Sequence, residues 1–589
     1  MRKNIFCKTL SVALAGAVAA GTLAGCGNDA ASTTAAATEK QTEAEKETKA
    51  EEKTDAADGE TKAESEETKA DGGESTNTTA EWEPFAENVT IKIPVYDRGQ
   101  EGVPNVSDNY WTKWIQENFG DKYNITVNFE PITRTDVMTE YSLLASSEDL
   151  PTLLMEFDYP KVAQWANDGY LTTFNMDDFA AIAPTYYNRM VELNQLQYTT
   201  LNDETYFVLA ERPNYDTAYS YQTFVRMDWL EQVGYDHVPM TREEYVDAMT
   251  KIQEAGICEH PGGGEKLGVG ADQNDGFRSL PMDETEWAMY GDFNIPALGW
   301  EPNKKLIKNA NEDFNLGITD PEYYITDKET AKANFINGKS YSYGDYIAAD
   351  MPTLTSFYEQ NPDAKLAIIP RDSTYNGENP IWRADNPFGM IIGFSSQASE
   401  DEIKAGMMYL EWMNQEDNLF TMQWGIEGEN FNYNEEGLPE SVADYSGEYK
   451  QGYSNSSDYW SCVVTGRAVG TIEQQVAAMF PQDLPQSEEL QAQIVEYYNT
   501  AVELAGEGHA VSPCLFSTAL DAETDNLTGL QELYVQLRDE LTMCAPEEFD
   551  AKYEEAVQEY LDAGYQDVID QRKEAYEAGQ STKLKDNQK

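Results

Sequence analysis

From residue 27 to residue 80 the chain carries no aromatic side chain and no apolar one except alanine. The stretch is built from Glu, Lys, Thr, Ala, Asp and Gly, and Glu-Thr-Lys-Ala recurs at Glu47, Glu60 and Glu67. Such a segment cannot bury enough apolar surface to offset the entropy of ordering it, so it reads as a disordered tether. Whatever folds in this 589-residue chain must therefore fold from about Trp82 onward. At roughly 5–6 Å × √n, a flexible tether of this size spans typically about 40 Å.

Upstream of the tether, Arg2, Lys3 and Lys8 give a basic start, and Leu10 to Ala20 is an apolar run. Small residues then lead into Leu23-Ala24-Gly25-Cys26. This is the order of a secretory signal, and the run is too short for a comfortable membrane span. The Leu-Ala-Gly-Cys ending resembles the lipobox of bacterial lipoproteins, in which the cysteine is acylated, with palmitate among the expected lipids, and becomes the mature N-terminus. The alternative is an ordinary secretory signal with an incidental cysteine. On the lipobox reading residues 1–25 are removed, Cys26 carries the lipid, residues 26–81 are the tether, and the folded part works on the extracellular face of the membrane. No other run of about 20 apolar residues follows, so the lipid is the expected anchor.

The 41 basic residues against 106 acidic ones give a formal charge of −65. Such a field repels phosphate backbones and anionic headgroups, which argues against nucleic acid as a partner. Hydrophobic residues at 40% suffice for sizeable cores, so two or three domains are expected. Of six cysteines, Cys258, Cys462, Cys514 and Cys544 lie in the folded part without any CxxC pairing. They allow three disulfide connectivities or none.

Val89 to Val95 alternates like a strand, Tyr110 to Phe119 reads as a helix, and Ile125 to Phe129 is a second strand. Thr135 to Ser146 is a helix and Pro151 to Phe157 a third strand, so an α/β fold with a parallel sheet is expected. Leu527 to Ala578 is strongly helical with Gly564 as a break, and Ser581 to Lys589 is expected to fray. The stretch Phe224-Val225-Arg226-Met227-Asp228-Trp229-Leu230 runs on to Gly234, then Pro239, Thr241 and Glu244. It reads as a strand, a short helix ended by glycine, and a second helix capped by Thr241 with Glu244 in the capping-box position.

That block resembles the family 1 extracellular solute-binding proteins, in particular a branch of large Gram-positive lipoproteins that serve as capture subunits of ABC sugar importers. Ser146 to Leu154, Trp165 to Leu171, Ala333 to Lys339, Tyr409 to Asn414 and Trp424 to Gly428 resemble further family blocks in the same order, with Thr152 where an Asp is usual. The resemblance implies an α/β, two-lobed periplasmic-binding-protein type II fold with hinge strands and a helical C-terminal extension. It places lobe one at 82–212 plus 393–430, lobe two at 213–392 plus 431–526, and C-terminal helices at 527–580 packing on the lobes. A first crossing is implied near Leu209 to Tyr215, a return near Pro387 to Phe394, and a third after Trp424. The implied partners are an oligosaccharide or other small solute and the permease subunits of an ABC transporter, with the protein itself a monomer. Some relatives carry a calcium loop after the helix that starts near Thr241. Here that register fails, because Gly276 falls where a ligand should follow Asp272, Asn274 and Asp275, so no metal and no cofactor is expected.

In such folds strand ends and hinge loops face the cleft. The candidate ligand contacts are therefore Asp97 and Arg98 after the first strand, Asp158 and Tyr159 after the third, and Arg226 near the crossing. Trp287, Tyr290 and Trp300 lie in an aromatic-rich part of lobe two. Tyr343, Asp345 and Tyr346 follow a strand-like turn, and Trp382 precedes the return crossing. A sugar needs aromatic planes against its C–H faces and carboxylates, amides or arginines against its hydroxyls. The competing assignments are core packing for the aromatics, helix caps for the aspartates and a structural ion pair for Arg226. Trp229 and Trp412 sit at helical spacing among apolar neighbours and belong to the core.

Catalytic motifs find no support. His237, His260 and His509 have no metal spacing, no GxSxG occurs, and among 106 acids a chance carboxylate pair means nothing. The chain is read as a binding protein and not an enzyme. A polysaccharide-active enzyme, or a receptor or sensor for a non-sugar solute such as a peptide, remain the alternatives.

Overall fold

Apolar residues at alternate positions give the first strand two kinds of face, and Ile91, Ile93 and Val95 on its inner side are fully enclosed. The computed structural model describes residues 82–97, 105–266, 268, 279–291, 295–348, 351–374, 379–442 and 456–589. Cys26 with its leader and tether, Arg98, and the loop holding Asp272, Asn274 and Asp275 lie outside these residues. The longer strands that precede the first crossing are β1 (Val89–Asp97), β2 (Ile125–Thr133), β3 (Leu153–Glu156) and β4 (Phe207–Leu209). Three more form the second sheet: β5 (Tyr221–Arg226), β6 (Ser342–Tyr346) and β7 (Leu366–Ile368). The chain then returns as β8 (Ile391–Ser395).

In the first lobe β1 and β2 are parallel, in register from Val89↔Ile125 to Asp97↔Thr133. Thr152 joins β3 to β1: its N–H donates to the Lys92 carbonyl and its hydroxyl accepts from Lys92 N–H, both at 3.0 Å. β8 runs antiparallel to both β3 and β4, so Ile391 lies beside Glu156 on one side and Leu209 on the other. In the second lobe β5 is the central strand, antiparallel to β6 and β7. Its faces divide two cores, one around Phe224, Phe335 and Phe357, the other around Val225, Trp229 and Met249.

Local signals explain most helix ends. Asn109 caps the helix Tyr110–Ile115 by accepting from the N–H groups of Trp111 and Thr112. Thr241 caps Arg242–Glu254 by accepting from Glu244 N–H. The Glu244 carboxylate accepts from the Met240 N–H at 2.8 Å. The C-terminal helices Asp521–Met543, Phe549–Tyr560 and Gln566–Glu577 pack on second-lobe helices. Gly564 takes φ +120° in the turn between the last two, a conformation that suits glycine.

Where the alternation of strands and helices predicts a parallel sheet, only β1 and β2 among β1 to β8 pair in parallel, and the rest pair antiparallel. Two further features differ from the sequence expectation. The tail after Ser581 does not fray: Leu584 is buried, Gln588 Nε2 donates to Ala510 O at 2.8 Å, and Gln588 O accepts from Met282 N–H at 2.9 Å. Tyr459, Trp460, Cys462 and Val463, assigned with 431–526 to the second lobe, pack in the core of the first. The four described cysteines are all buried and free, one of the two alternatives that the sequence leaves open.

The third crossing lies at 461–467. Glu211 N–H donates to Cys462 O and Glu211 O accepts from Val464 N–H, while Ala210 exchanges hydrogen bonds with Met390 and Gly389. Three chain segments thus lie side by side between the lobes. The Glu211 carboxylate stitches them together, accepting from Arg189 on the first-lobe helix Pro184–Glu192 and from Arg467 Nε at 3.3 Å. Arg467 in turn donates to Asn414 Oδ1 at 2.7 Å.

Candidate functional site

The crossings fix which ends of the two sheets face each other. In the first lobe, Glu156 and Leu209 flank Ile391, so the ends of β1, β2 and β3 lie on the crossing side. In the second lobe β5 starts directly after the first crossing and pairs Tyr221 with Tyr346, while Ile347 N–H donates to Ser220 O at 2.8 Å. The start of β5 and the end of β6 therefore bound the same interlobe space.

On the first-lobe side Asp97 is exposed at the end of β1. Asp158 starts the helix Tyr159–Asn167 without capping it and lies 3.5 Å from Lys161 Nζ. Between them stands a residue that the sequence reading passed over. Arg134 follows β2 directly, its guanidinium 4.7 Å from the Tyr96 ring centroid and its Nη1 donating to Glu156 Oε2 at 3.0 Å. Glu156 is fully buried; Tyr96 Oη lies 2.9 Å from Oε2, and Phe157 N–H donates to Oε1. Burial, and then the Glu156 charge, push the Tyr96 phenol well above its ordinary pKa, which keeps its proton available as a donor.

On the second-lobe side Tyr221 and Tyr346 are 47% and 41% exposed and meet edge to face at 5.1 Å. Gly344 allows this arrangement: a Cβ there would stand 2.4 Å from the Tyr221 hydroxyl and 2.9 Å from its ring, so the side chain lies against bare backbone. Asp345, half-buried, accepts from Thr353 Oγ1 at 3.3 Å. Trp382 is half-buried at the root of the second crossing. Its Nε1 donates to Asp216 O at 3.0 Å, and the Arg371 guanidinium lies 3.7 Å over its ring. Arg371 also donates to the Tyr497 hydroxyl at 2.6 Å, so one face of Trp382 is already covered.

The other candidates are placed elsewhere. Tyr159 is buried against Phe207 and Phe388, with its hydroxyl 3.3 Å from Thr200 O. Arg226 makes a two-pronged pair with Asp228 at 2.8 and 2.7 Å and lies over Trp229, the structural ion pair that was the competing reading. Trp287 and Trp300 are buried in the core under the C-terminal helices, where Tyr290 stacks on Trp300 at 6.2 Å. Tyr343 is buried and stacked on Phe335. The common cause is local phase and packing, which turn these rings toward the cores of their own lobes. Of the candidates, Asp97 and Asp158 thus lie at strand ends on the crossing side of the first lobe, beside Arg134, and Asp345, Tyr346 and Trp382 lie in the second lobe, where Tyr346 meets Tyr221. Tyr221 had a legible signal, since it is the first strand residue after a crossing.

Among the described residues no group of three His, Cys, Asp or Glu side chains is placed to hold a metal ion. No helix among them is long and apolar enough to cross a membrane.

Comparison with known proteins fits this geometry. Residues 114–425 match the family described as bacterial extracellular solute-binding protein. The polygalacturonan/rhamnogalacturonan-binding protein YtcQ of Bacillus subtilis (strain 168) is 24% identical over 267 residues, covering 42% of this chain and 50% of that protein. The match therefore spans half the length of that relative. An extracellular solute-binding protein from Bifidobacterium longum subsp. infantis superposes with a TM-score of 0.57 at 13% identity, over 84% of this chain and 99% of that one. The alginate-binding protein AlgQ2 does so with a TM-score of 0.53 at 13% identity and the same coverage. At these identities the likeness speaks for a shared two-lobed fold. With an α/β lobe on each side of three crossings and a family match over more than half its length, the chain belongs to the bacterial extracellular solute-binding proteins.

Proposed function

We propose that the chain is a membrane-tethered capture protein. In this reading lipid on Cys26 anchors it outside the cell, its lobes close on an oligosaccharide, and the closed form hands the sugar to the permease subunits of an ABC transporter. The observation that carries the carbohydrate reading is the exposed Tyr221–Tyr346 pair at the crossing end of the second lobe. Two large aromatic side chains left open beside the interlobe space offer faces for the C–H surfaces of a sugar ring. The polyuronate ligand named for YtcQ supports the same substrate class.

The energies are adequate. Micromolar capture needs about 8 kcal/mol. Stacking on each tyrosine contributes about 0.5–1.5 kcal/mol beyond its buried area, and each charge-assisted hydrogen bond about 1.5–3 kcal/mol. Ligand shifts the open–closed equilibrium only through its better fit to the closed state, so a productive sugar must touch both lobes.

The test is a thermal-shift and calorimetric screen of the full chain, purified in detergent, against oligogalacturonides and neutral gluco-, manno- and galacto-oligosaccharides. Saturable binding in the micromolar range, with a rise in melting temperature, is expected. Absence of binding to every sugar, or release of shorter products from a polysaccharide, overturns the reading. For the anchor, Cys26→Ser should abolish incorporation of labelled palmitate and release the protein into the medium.

A further inference from the structure

We infer that Arg134 is the first lobe's principal polar contact to the ligand, a guanidinium held ready to bind two adjacent ligand oxygens; this deepens the carbohydrate reading above and rests on it. The argument starts from how the side chain is held. Arg134 sits one residue past β2, at the end of the sheet that borders the interlobe space. Its guanidinium lies over the Tyr96 ring and 5.8 Å from that of Phe157, and Nη1 is fixed by Glu156. The only hydrogen bond it makes within the described residues is that one, from a group with five N–H donors. The side chain remains 28% exposed.

The second step concerns Glu156. A carboxylate with no exposed surface is costly to bury, and an ion pair around it returns little net stability. Glu156 also satisfies no helix end; within the described residues its carboxylate receives, besides Arg134, Tyr96 Oη and the Phe157 N–H. The arrangement does one thing well, which is to hold the guanidinium in a single orientation before anything binds. Preorganisation of this kind lowers the entropy lost when a ligand docks. Glu156 is then a positioning residue and Arg134 the contact.

A planar fork of donors matches either a pair of neighbouring sugar hydroxyls or the carboxylate of a uronic acid. The two sources are separable by charge. Trigalacturonate and its full methyl ester share ring stereochemistry and hydroxyls, and differ in whether the carboxyl carries charge.

The experiment measures binding of both probes, together with the neutral oligosaccharides, to the full chain and to R134A, R134K and E156Q, with thermal unfolding of each variant alongside. R134A should weaken the wild-type ligand at least tenfold without a matching loss in melting temperature. If R134A unfolds early, R134K decides, since it keeps the charge but loses the fork and should bind at least fivefold more weakly. Loss confined to the acid identifies a carboxylate, and equal loss for acid and ester identifies hydroxyls. E156Q leaves Arg134 without its counter-charge, so the acid-to-ester preference should move toward the acid, a change that a merely structural Glu156 does not produce. Wild-type binding that survives in R134A or a folded R134K within twofold overturns the inference while leaving the carbohydrate reading intact. No binding of any sugar by the wild-type chain overturns both.

Discussion

Gly389 lies where the crossings approach most closely, and replacing it tests whether they pack as described. Its backbone has no left-handed φ, so the residue is there for space and not for conformation. A Cβ at this position would stand 2.3 Å from Val464 Cγ2 on the third crossing, 3.0 Å from the Glu211 carbonyl oxygen on the first, and 3.4 Å from Ala210 Cβ. Ordinary carbon–carbon contact is about 3.5–4.0 Å, so the methyl group overlaps Val464 by roughly 1 Å. Val464 is half-buried and β-branched, with little freedom to turn aside, and the carbonyl is held by the Val464 N–H. Overpacking of this kind costs about 1–3 kcal/mol.

Gly389→Ala should therefore lower stability by about 1–3 kcal/mol in urea unfolding. Val464→Ala removes the atom that clashes, so the double variant should recover much of the loss. A coupling energy of about 1 kcal/mol or more is expected between the two sites. Additivity within about 0.5 kcal/mol refutes the reasoning, because it means that Gly389 and Val464 do not share the contact. A Gly389→Ala protein as stable as the wild type refutes it more directly.

Burial opposes ionisation of Glu211, but its bonds to Arg189 and Arg467 outweigh this and hold its carboxyl below the ordinary value of 4.5. Its contribution is thus fully present above that value and is lost as pH falls through the lower folded one, so the stability gap between wild type and Glu211→Gln should close in acid; a gap constant to pH 2 rules this out. Tyr221→Ala and Tyr346→Ala should each weaken sugar binding about 2–10-fold by calorimetry, the equivalent of about 0.5–1.5 kcal/mol of stacking. An unchanged affinity removes the pair from the site. Burial pushes the Cys462 thiol up to about 12 and that of Cys514 up to about 11. Disulfide-exchange reagents should therefore find four more reactive thiols after denaturation than before, and fewer than four indicates disulfides.

Much of both lobes was legible because some strands alternate in the expected way and several turns carry their own signals. The strand from Val89, the Thr241 cap and the core positions of Trp229 and Trp412 all follow from local patterning. The third crossing was not legible, since Ser461 to Arg467 owes its course to backbone bonds with Glu211, about 250 residues earlier in sequence, and to no periodicity of its own. The tail after Ser581 misled for a related reason: its composition is polar, yet two backbone bonds, Ser517 N–H to Gln580 O and Thr582 N–H to Leu515 O, pin its start. Aromatic candidates failed where the signal was abundance alone. Trp287 and Trp300 lie in helical segments that the C-terminal helices cover, and sequence does not reveal such a cover. Arg134 was reachable by the rule that pointed to Asp97 and Asp158, the residue just past a strand end, but a lone Arg between two threonines gave no second signal.

Two glutamates show how a chain of such negative charge uses its few arginines. Glu156 and Glu211 are both buried near the junction of the lobes, and each orients an arginine. Stability alone explains neither pair, because desolvation offsets much of what a buried ion pair gains. The difference lies in where the arginines point. Arg189 and Arg467 converge on Glu211 from two segments and bind the crossings to the first lobe. Arg134 instead spends one donor on Glu156 and keeps part of its surface open. On this argument the two carboxylates divide the work of capture. Loss of Glu211 should alter the joint and its acid stability while sparing ligand preference, whereas loss of Glu156 should alter ligand preference while sparing the joint. Variants that exchange these effects contradict the division.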